Sequence, residues 1–278
     1  VISGSKDPEG KYMYKAVNNI FLNVNNGLPN PFPGNANAKP ATPKSFKFNR
    51  AGRNGTLISV ILDESGSMDG VRAQTISGFN ELVQSQKSAE NAGTAYLTLT
   101  KFDAPKVDIL YRNVSIQEVK PLTAADYEPN GMTNLMDAVG QTMMSIQNVL
   151  GEVKEEERPG VLVVIMTDGY ENSSTTYRAD QIRSMVKQAE AADWSFMFLG
   201  ADIDAFAAGS VIGMTAANTV SYNKADQLDA MHAVSASATA IRSAKMQGMD
   251  THTLYASGTL TSGFNSKVYK NSVDADKE

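Results

Sequence analysis

Three short apolar runs punctuate the middle of the chain: "LISVIL" (57–62), "VLVVIM" (161–166) and "SFMFLG" (195–200). Each is continuous rather than alternating, as expected of parallel strands covered on both faces. "AYLTLTKF" (95–102) alternates instead, and "APK" then turns into "VDILY" (107–111), so these two segments predict a hairpin towards the sheet edge. "TVSY" (219–222) predicts a last, short strand. Between the runs, apolar positions take helical spacing. Val71, Ile76, Phe79 and Val83 share one face, as do Leu135, Val139, Met143, Ile146 and Leu150. Ile182, Met185, Val186 and Ala189 form a third stripe, and Leu228, Met231, Ala238 and Ile241 a fourth. These stripes are read as packing against the sheet. Strand and helix alternate from 57 to 248. That predicts an α/β fold: doubly wound, with a mostly parallel central sheet, one antiparallel edge strand and helices on both faces.

The two ends break the pattern. Residues 26–45 are dense in Asn, Pro and Gly and cannot hold a helix or a central strand. Residues 1–54 are therefore expected to be an N-terminal extension, 55–248 the domain, and 249–278 a loose polar tail. The full 278 residues leave room for one large domain with such extensions.

Composition narrows the function classes. A net charge of −5 gives no basic footprint for nucleic acid. No run approaches the roughly 18 apolar residues of a membrane span. The absence of cysteine excludes disulfides and thiolate metal sites. The first residues lack the basic-then-apolar pattern of a secretory signal, so the chain reads as cytoplasmic.

Ligands of doubly wound sheets bind beyond the carboxyl ends of the strands. Three segments place polar residues there: Asp63-x-Ser65-x-Ser67 after 57–62, Thr133 in "PNGMTNL" before the second helix, and Asp168 in "IMTDGYENSS" after 161–166. Taken singly, each has a plainer explanation: a strand-end cap and turn for the first, a helix N-cap for Thr133, a turn for Asp168-Gly169. Taken together they offer three hydroxyls, two carboxylates and nothing softer. That set suits a hard divalent cation, Mg²⁺ first, with Mn²⁺ or Ca²⁺ as alternatives. Gly66 is expected to permit the tight backbone between the two serines. Glu171, Asp103 and Asp69 read as solvated acids near the same rim, and His232 as a packed or partly exposed side chain.

"DESGSM", "GMTNLMDAV" and "VVIMTDGYENSS", in this order and at these separations, resemble the von Willebrand factor A domain. The likeness covers roughly residues 55–248. "ISGFNELVQSQK", "DWSFMFLGADIDAFA" and "AVSASATAIR" extend it towards small stand-alone bacterial and phage members of that family. The resemblance implies that Asp63, Ser65, Ser67, Thr133 and Asp168 form a metal-ion-dependent adhesion site. It further implies direct contact of Ser65, Ser67 and Thr133 with the ion, with Asp63 and Asp168 acting through water and holding the hydroxyls. The position left open would take an Asp or Glu of another protein.

The function this implies is a metal-dependent protein-interaction module, not an enzyme. A Mg²⁺-dependent hydrolase of the phosphatase kind is the alternative. It should show a second carboxylate two residues beyond the nucleophile, where Ser65 stands, and a lysine clamp, which no strand end of the sequence supplies to the eye. A structural component of a phage particle or bacterial assembly would use the same site with a different partner.

Overall fold

The computed structural model describes residues 55–89, 93–154 and 157–264. The expected extension, residues 1–54, lies outside them. Six strands form one sheet among the described residues: β1 (Gly55–Asp63), β2 (Thr94–Asp103), β3 (Lys106–Ser115), β4 (Gly160–Thr167), β5 (Trp194–Ala201) and β6 (Thr219–Tyr222). Their order is β3-β2-β1-β4-β5-β6, with only the β2–β3 pair antiparallel. The expected architecture is the one observed, including the edge hairpin.

The parity of β1 shows why its sequence is a continuous apolar run. Ile58, Val60 and Leu62 point into one core, while Leu57 and Ile61 point into the other. The first core is closed by α1 (Arg72–Ser88) and α5 (Gln227–Met246), through Phe79, Leu82, Met231, Val234 and Ile241. The second is closed by α2 (Leu135–Gly151), α3 (Ala179–Ala191) and the short α4 (Ala205–Val211), through Val139, Met143, Ile146, Ile182 and Met185. A strand with helices on both sides has no solvent face, so no polar position alternates along it.

The chain beyond 248 departs from the expected loose tail. A short helix, α6 (Thr251–Ala256), and a 3₁₀ segment (Thr259–Phe264) pack back on the first core, burying Leu254 and Phe264. Asp250 caps α6 by accepting from the Thr253 N–H at 2.7 Å. Met249, Leu254, Tyr255 and Phe264 reach this core at spacings that follow neither the helical nor the strand period, so the pattern of the sequence does not announce the docking.

Candidate functional site

The three polar segments meet above the carboxyl ends of β1 and β4. Asp63 ends β1 and is fully buried. Its Oδ1 accepts from the Ser65 N–H at 2.8 Å, and its Oδ2 accepts from the Thr167 hydroxyl at 2.5 Å. Burial pushes the Asp63 carboxyl up to about 6, against the opposing effect of these hydrogen bonds; the neighbouring Asp168 charge adds to the rise. The Ser67 hydroxyl donates to Asp168 Oδ1 at 2.6 Å, and the Ser65 and Ser67 hydroxyl oxygens stand 3.1 Å apart. Thr133 is buried, and its hydroxyl lies over Gly169.

Backbone hydrogen bonds sew the segments together. The Asn130 N–H donates to the Glu64 carbonyl at 2.8 Å, and the Gly66 N–H to the Gly131 carbonyl at 3.2 Å. Asn172 clasps Thr133 from the other side: its N–H donates to the Thr133 carbonyl, and its side-chain oxygen accepts from the Thr133 N–H, both at 3.0 Å. Tyr127 donates to the Asp63 carbonyl at 2.6 Å and so fixes the end of β1. Glu64, the residue between Asp63 and Ser65, is buried in an ion pair with Lys101 at 2.9 Å and also accepts from the Glu128 N–H at 2.6 Å.

Two glycines are required by this geometry. Gly131 has φ +66°, a left-handed conformation that other residues avoid. A Cβ on Gly169 would stand 2.7 Å from the Thr133 hydroxyl oxygen. The glycine expected to matter, Gly66, is not strained: a Cβ there would meet only ordinary contacts, the nearest at 3.7 Å.

Other expectations are corrected too. Thr133 is not the cap of α2. That duty falls to Glu171, whose Oε2 accepts from the Met136 N–H at 2.8 Å, and to the Ser174 hydroxyl, which accepts from the Asp137 N–H at 3.0 Å. Glu171 is thus a structural clasp rather than a solvated acid. Asp137 answers it, accepting from the N–H groups of Thr175, Thr176 and Tyr177 at 2.8–2.9 Å. Asp103 is buried as well, and burial raises its carboxyl above the ordinary range. Asp69 is exposed, as expected, and His232 is a half-exposed partner of Glu81.

The largest omission from the sequence reading is Lys224. It lies two residues beyond β6, and its ammonium contacts Asp168 Oδ2 and the Ser67 carbonyl. A strand end therefore does supply a lysine to this rim. Asp168 Oδ2 accepts no hydrogen bond from the described residues, so Lys224 is its one cationic contact there.

The site fits a divalent cation on its own chemistry. The Ser67 proton is directed to Asp168, so in the Ser65–Ser67 contact Ser65 donates and one lone pair of the Ser67 oxygen stays available, while two buried carboxylates share few donors. Among the described residues no group of three or more His, Cys, Asp or Glu side chains converges. Any ion here depends on the hydroxyls.

No protein-family model matches the chain, and no curated protein sequence matches it. Solved structures do. The pilus adhesin SpaC from Lactobacillus rhamnosus GG superposes in two forms with TM-scores of 0.50 and 0.51, at 12% identity over 68% of this chain. Proximal thread matrix protein 1 from the mussel byssus gives a TM-score of 0.45 at 13% identity over 68% of this chain. Another structure of that mussel protein has a zinc-occupied MIDAS motif (TM-score 0.38, 15% identity, 56% of this chain). The chain spans 30–31% of the length of the adhesin and 37–46% of the mussel protein in these structures. The class is clear from topology and likeness together: this is a Rossmann-like α/β fold of the von Willebrand factor A type. No helix among the described residues is long and apolar enough to cross a membrane.

Proposed function

We propose that the chain is a protein-interaction module that binds a partner carboxylate through a divalent cation at the Asp63–Ser65–Ser67–Thr133–Asp168 rim. The observation that carries this reading is the Ser67–Asp168 hydrogen bond, in which a buried carboxylate takes the proton of an exposed residue's hydroxyl. When bound, the cation supplies an electrophilic position that a Glu or Asp of the partner can fill. Ser65, Ser67 and Thr133 provide neutral oxygens and so leave the ionic charge largely uncancelled. Asp63 and Asp168 orient those hydroxyls and balance the remaining charge. Mg²⁺ is the expected ion, with Mn²⁺ or Ca²⁺ as alternatives, since all five donors are oxygens.

The test is direct titration of Mg²⁺ into the metal-free protein, followed by partner capture with and without EDTA. With a Kd on the order of 1 mM, about 10 mM Mg²⁺ adds roughly 1.4 kcal/mol by mass action. That raises Tm by about 3–6 °C for a domain of this size. Partner binding that survives EDTA and Ser65→Ala at unchanged affinity would place the interaction surface elsewhere.

The hydrolase alternative gains one feature, Lys224 beside Asp168, and still lacks another. The position two residues beyond Asp63 is Ser65, which cannot serve as a general acid of the carboxylate kind. A phosphatase and esterase panel in Mg²⁺ separates the two readings. Activity abolished by Asp63→Asn would overturn the interaction module.

A further inference from the structure

Lys224 occupies an unusual place for a structural ion pair. Its backbone is anchored at the carboxyl ends of β5 and β6, beside the rim: the Lys224 N–H donates to Asp202 Oδ1 at 3.0 Å, and the Asp202 N–H donates to the Tyr222 carbonyl at 3.0 Å. From this fixed base its side chain reaches across the carboxyl end of the sheet and touches Asp168 and Ser67, two of the residues that would surround the ion. The two partners differ in burial. The Asp168 side chain is 1% exposed and the Lys224 side chain 24%. The carboxylate is thus fixed in the fold, whereas the ammonium arrives on a flexible stem open to water.

We propose that Lys224 is a tethered cation that stands in for the divalent ion: it neutralises Asp168 in the metal-free protein and must leave that carboxylate for the ion to bind. The inference rests on the metal-site reading above. Two cations cannot share one carboxylate oxygen at contact distance without strong repulsion. Each therefore excludes the other from Asp168 Oδ2. The lysine keeps the empty rim from holding an uncompensated buried charge, and in doing so it lowers the affinity for the metal. On release, its four-carbon stem lets the ammonium swing into solvent while the Asp202 anchor keeps the backbone in place.

The experiment titrates Mn²⁺ alone into the metal-free full chain by calorimetry, comparing wild type with Lys224→Met. Lys187→Met, which removes the same charge from an exposed position on α3, controls for net charge. Lys224→Met is expected to bind Mn²⁺ about tenfold more tightly than wild type, and Lys187→Met to match wild type. Equal affinity in wild type and Lys224→Met, or an equal gain in Lys187→Met, overturns the tethered-cation role and leaves the metal site standing. No Mn²⁺ binding by any of the three removes the metal site, and this inference with it. A second measurement needs no variant: amine labelling of the wild-type protein, read by mass spectrometry. Labelling of Lys224 should rise several-fold on adding Mg²⁺ while that of Lys187 stays constant; no rise at Lys224 overturns the proposal.

Discussion

The amino end of the sheet and the Asp63–Asp168 rim both bury charge, and they treat it in opposite ways. At the amino end, Arg242 and Lys245 of α5 are each 1% exposed. Arg242 donates to the Gln86 carbonyl at 3.0 Å, the Gln86 side-chain oxygen at 2.9 Å and the Gly93 carbonyl at 2.7 Å. Lys245 is paired with Asp193 at 2.9 Å. The fold itself supplies acceptors to these cations. At the carboxyl end Lys101 and Glu64 close each other off at 2.9 Å, but at the Asp63–Asp168 rim donors run short: among the described residues Asp168 Oδ2 meets only the part-exposed Lys224 ammonium. Charge that the fold closes off serves stability. Charge that it leaves short of donors weakens the fold.

The contrast can be broken most severely at the amino end. Arg242→Met should destabilise the protein by about 4 kcal/mol, because the Gln86 and Gly93 carbonyls lose their partner in a buried place. Thermal unfolding should show a drop of roughly 8–16 °C. A drop of only a degree or two would mean that this end is as loosely satisfied as the rim.

At the rim the sign reverses. Asp63 is pushed up to about 6 by burial, so its folded-state value lies above its unfolded one. Such a group contributes stability at low pH, and that contribution is lost as pH rises through about 6. The metal-free wild type should therefore weaken between about pH 4 and pH 6. Asp63→Asn should flatten that decline and stand roughly 2 kcal/mol above metal-free wild type at pH 7, by denaturant titration. A destabilised, pH-sensitive Asp63→Asn protein would show that the carboxylate is structural after all.

Smaller effects sharpen the comparison. Ser65→Ala should erase the Mg²⁺-induced rise of roughly 1.4 kcal/mol while leaving the metal-free Tm within about 2 °C of wild type. Gly169→Ala should displace the Thr133 hydroxyl and weaken Mg²⁺ binding about tenfold in calorimetry, with a stability change under about 1 kcal/mol. If Gly169→Ala binds Mg²⁺ as wild type does, Thr133 is not among the ion's donors.

The sheet and four of the helices were legible because burial on one or two faces leaves a period in the sequence. The seven residues of α4 are too few to repeat a stripe, and Met249, Leu254, Tyr255 and Phe264 dock without a regular spacing. The five rim residues were legible because each sits where a strand or helix boundary is itself visible. Their supports were not. Glu171 caps a helix that begins 36 positions earlier, and Asn172 clasps Thr133 from 39 away, so no local capping pattern announces either. Lys224 reads as one more solvated lysine in a turn, since its partner is 56 positions distant.

The bonds that close the rim also bear on time. Ser67 meets Asp168 across 101 positions, and Thr167 meets Asp63 across 104. Both bonds span about the same distance along the chain as the β1–β4 pairing itself and sit at its very end, so they are expected to form only after that pairing is in place. On that expectation the site is absent from the transition state and adds nothing to the rate at which the chain folds. Mg²⁺ held there should instead slow unfolding alone, lengthening the life of each folded molecule in proportion to its occupancy of the rim.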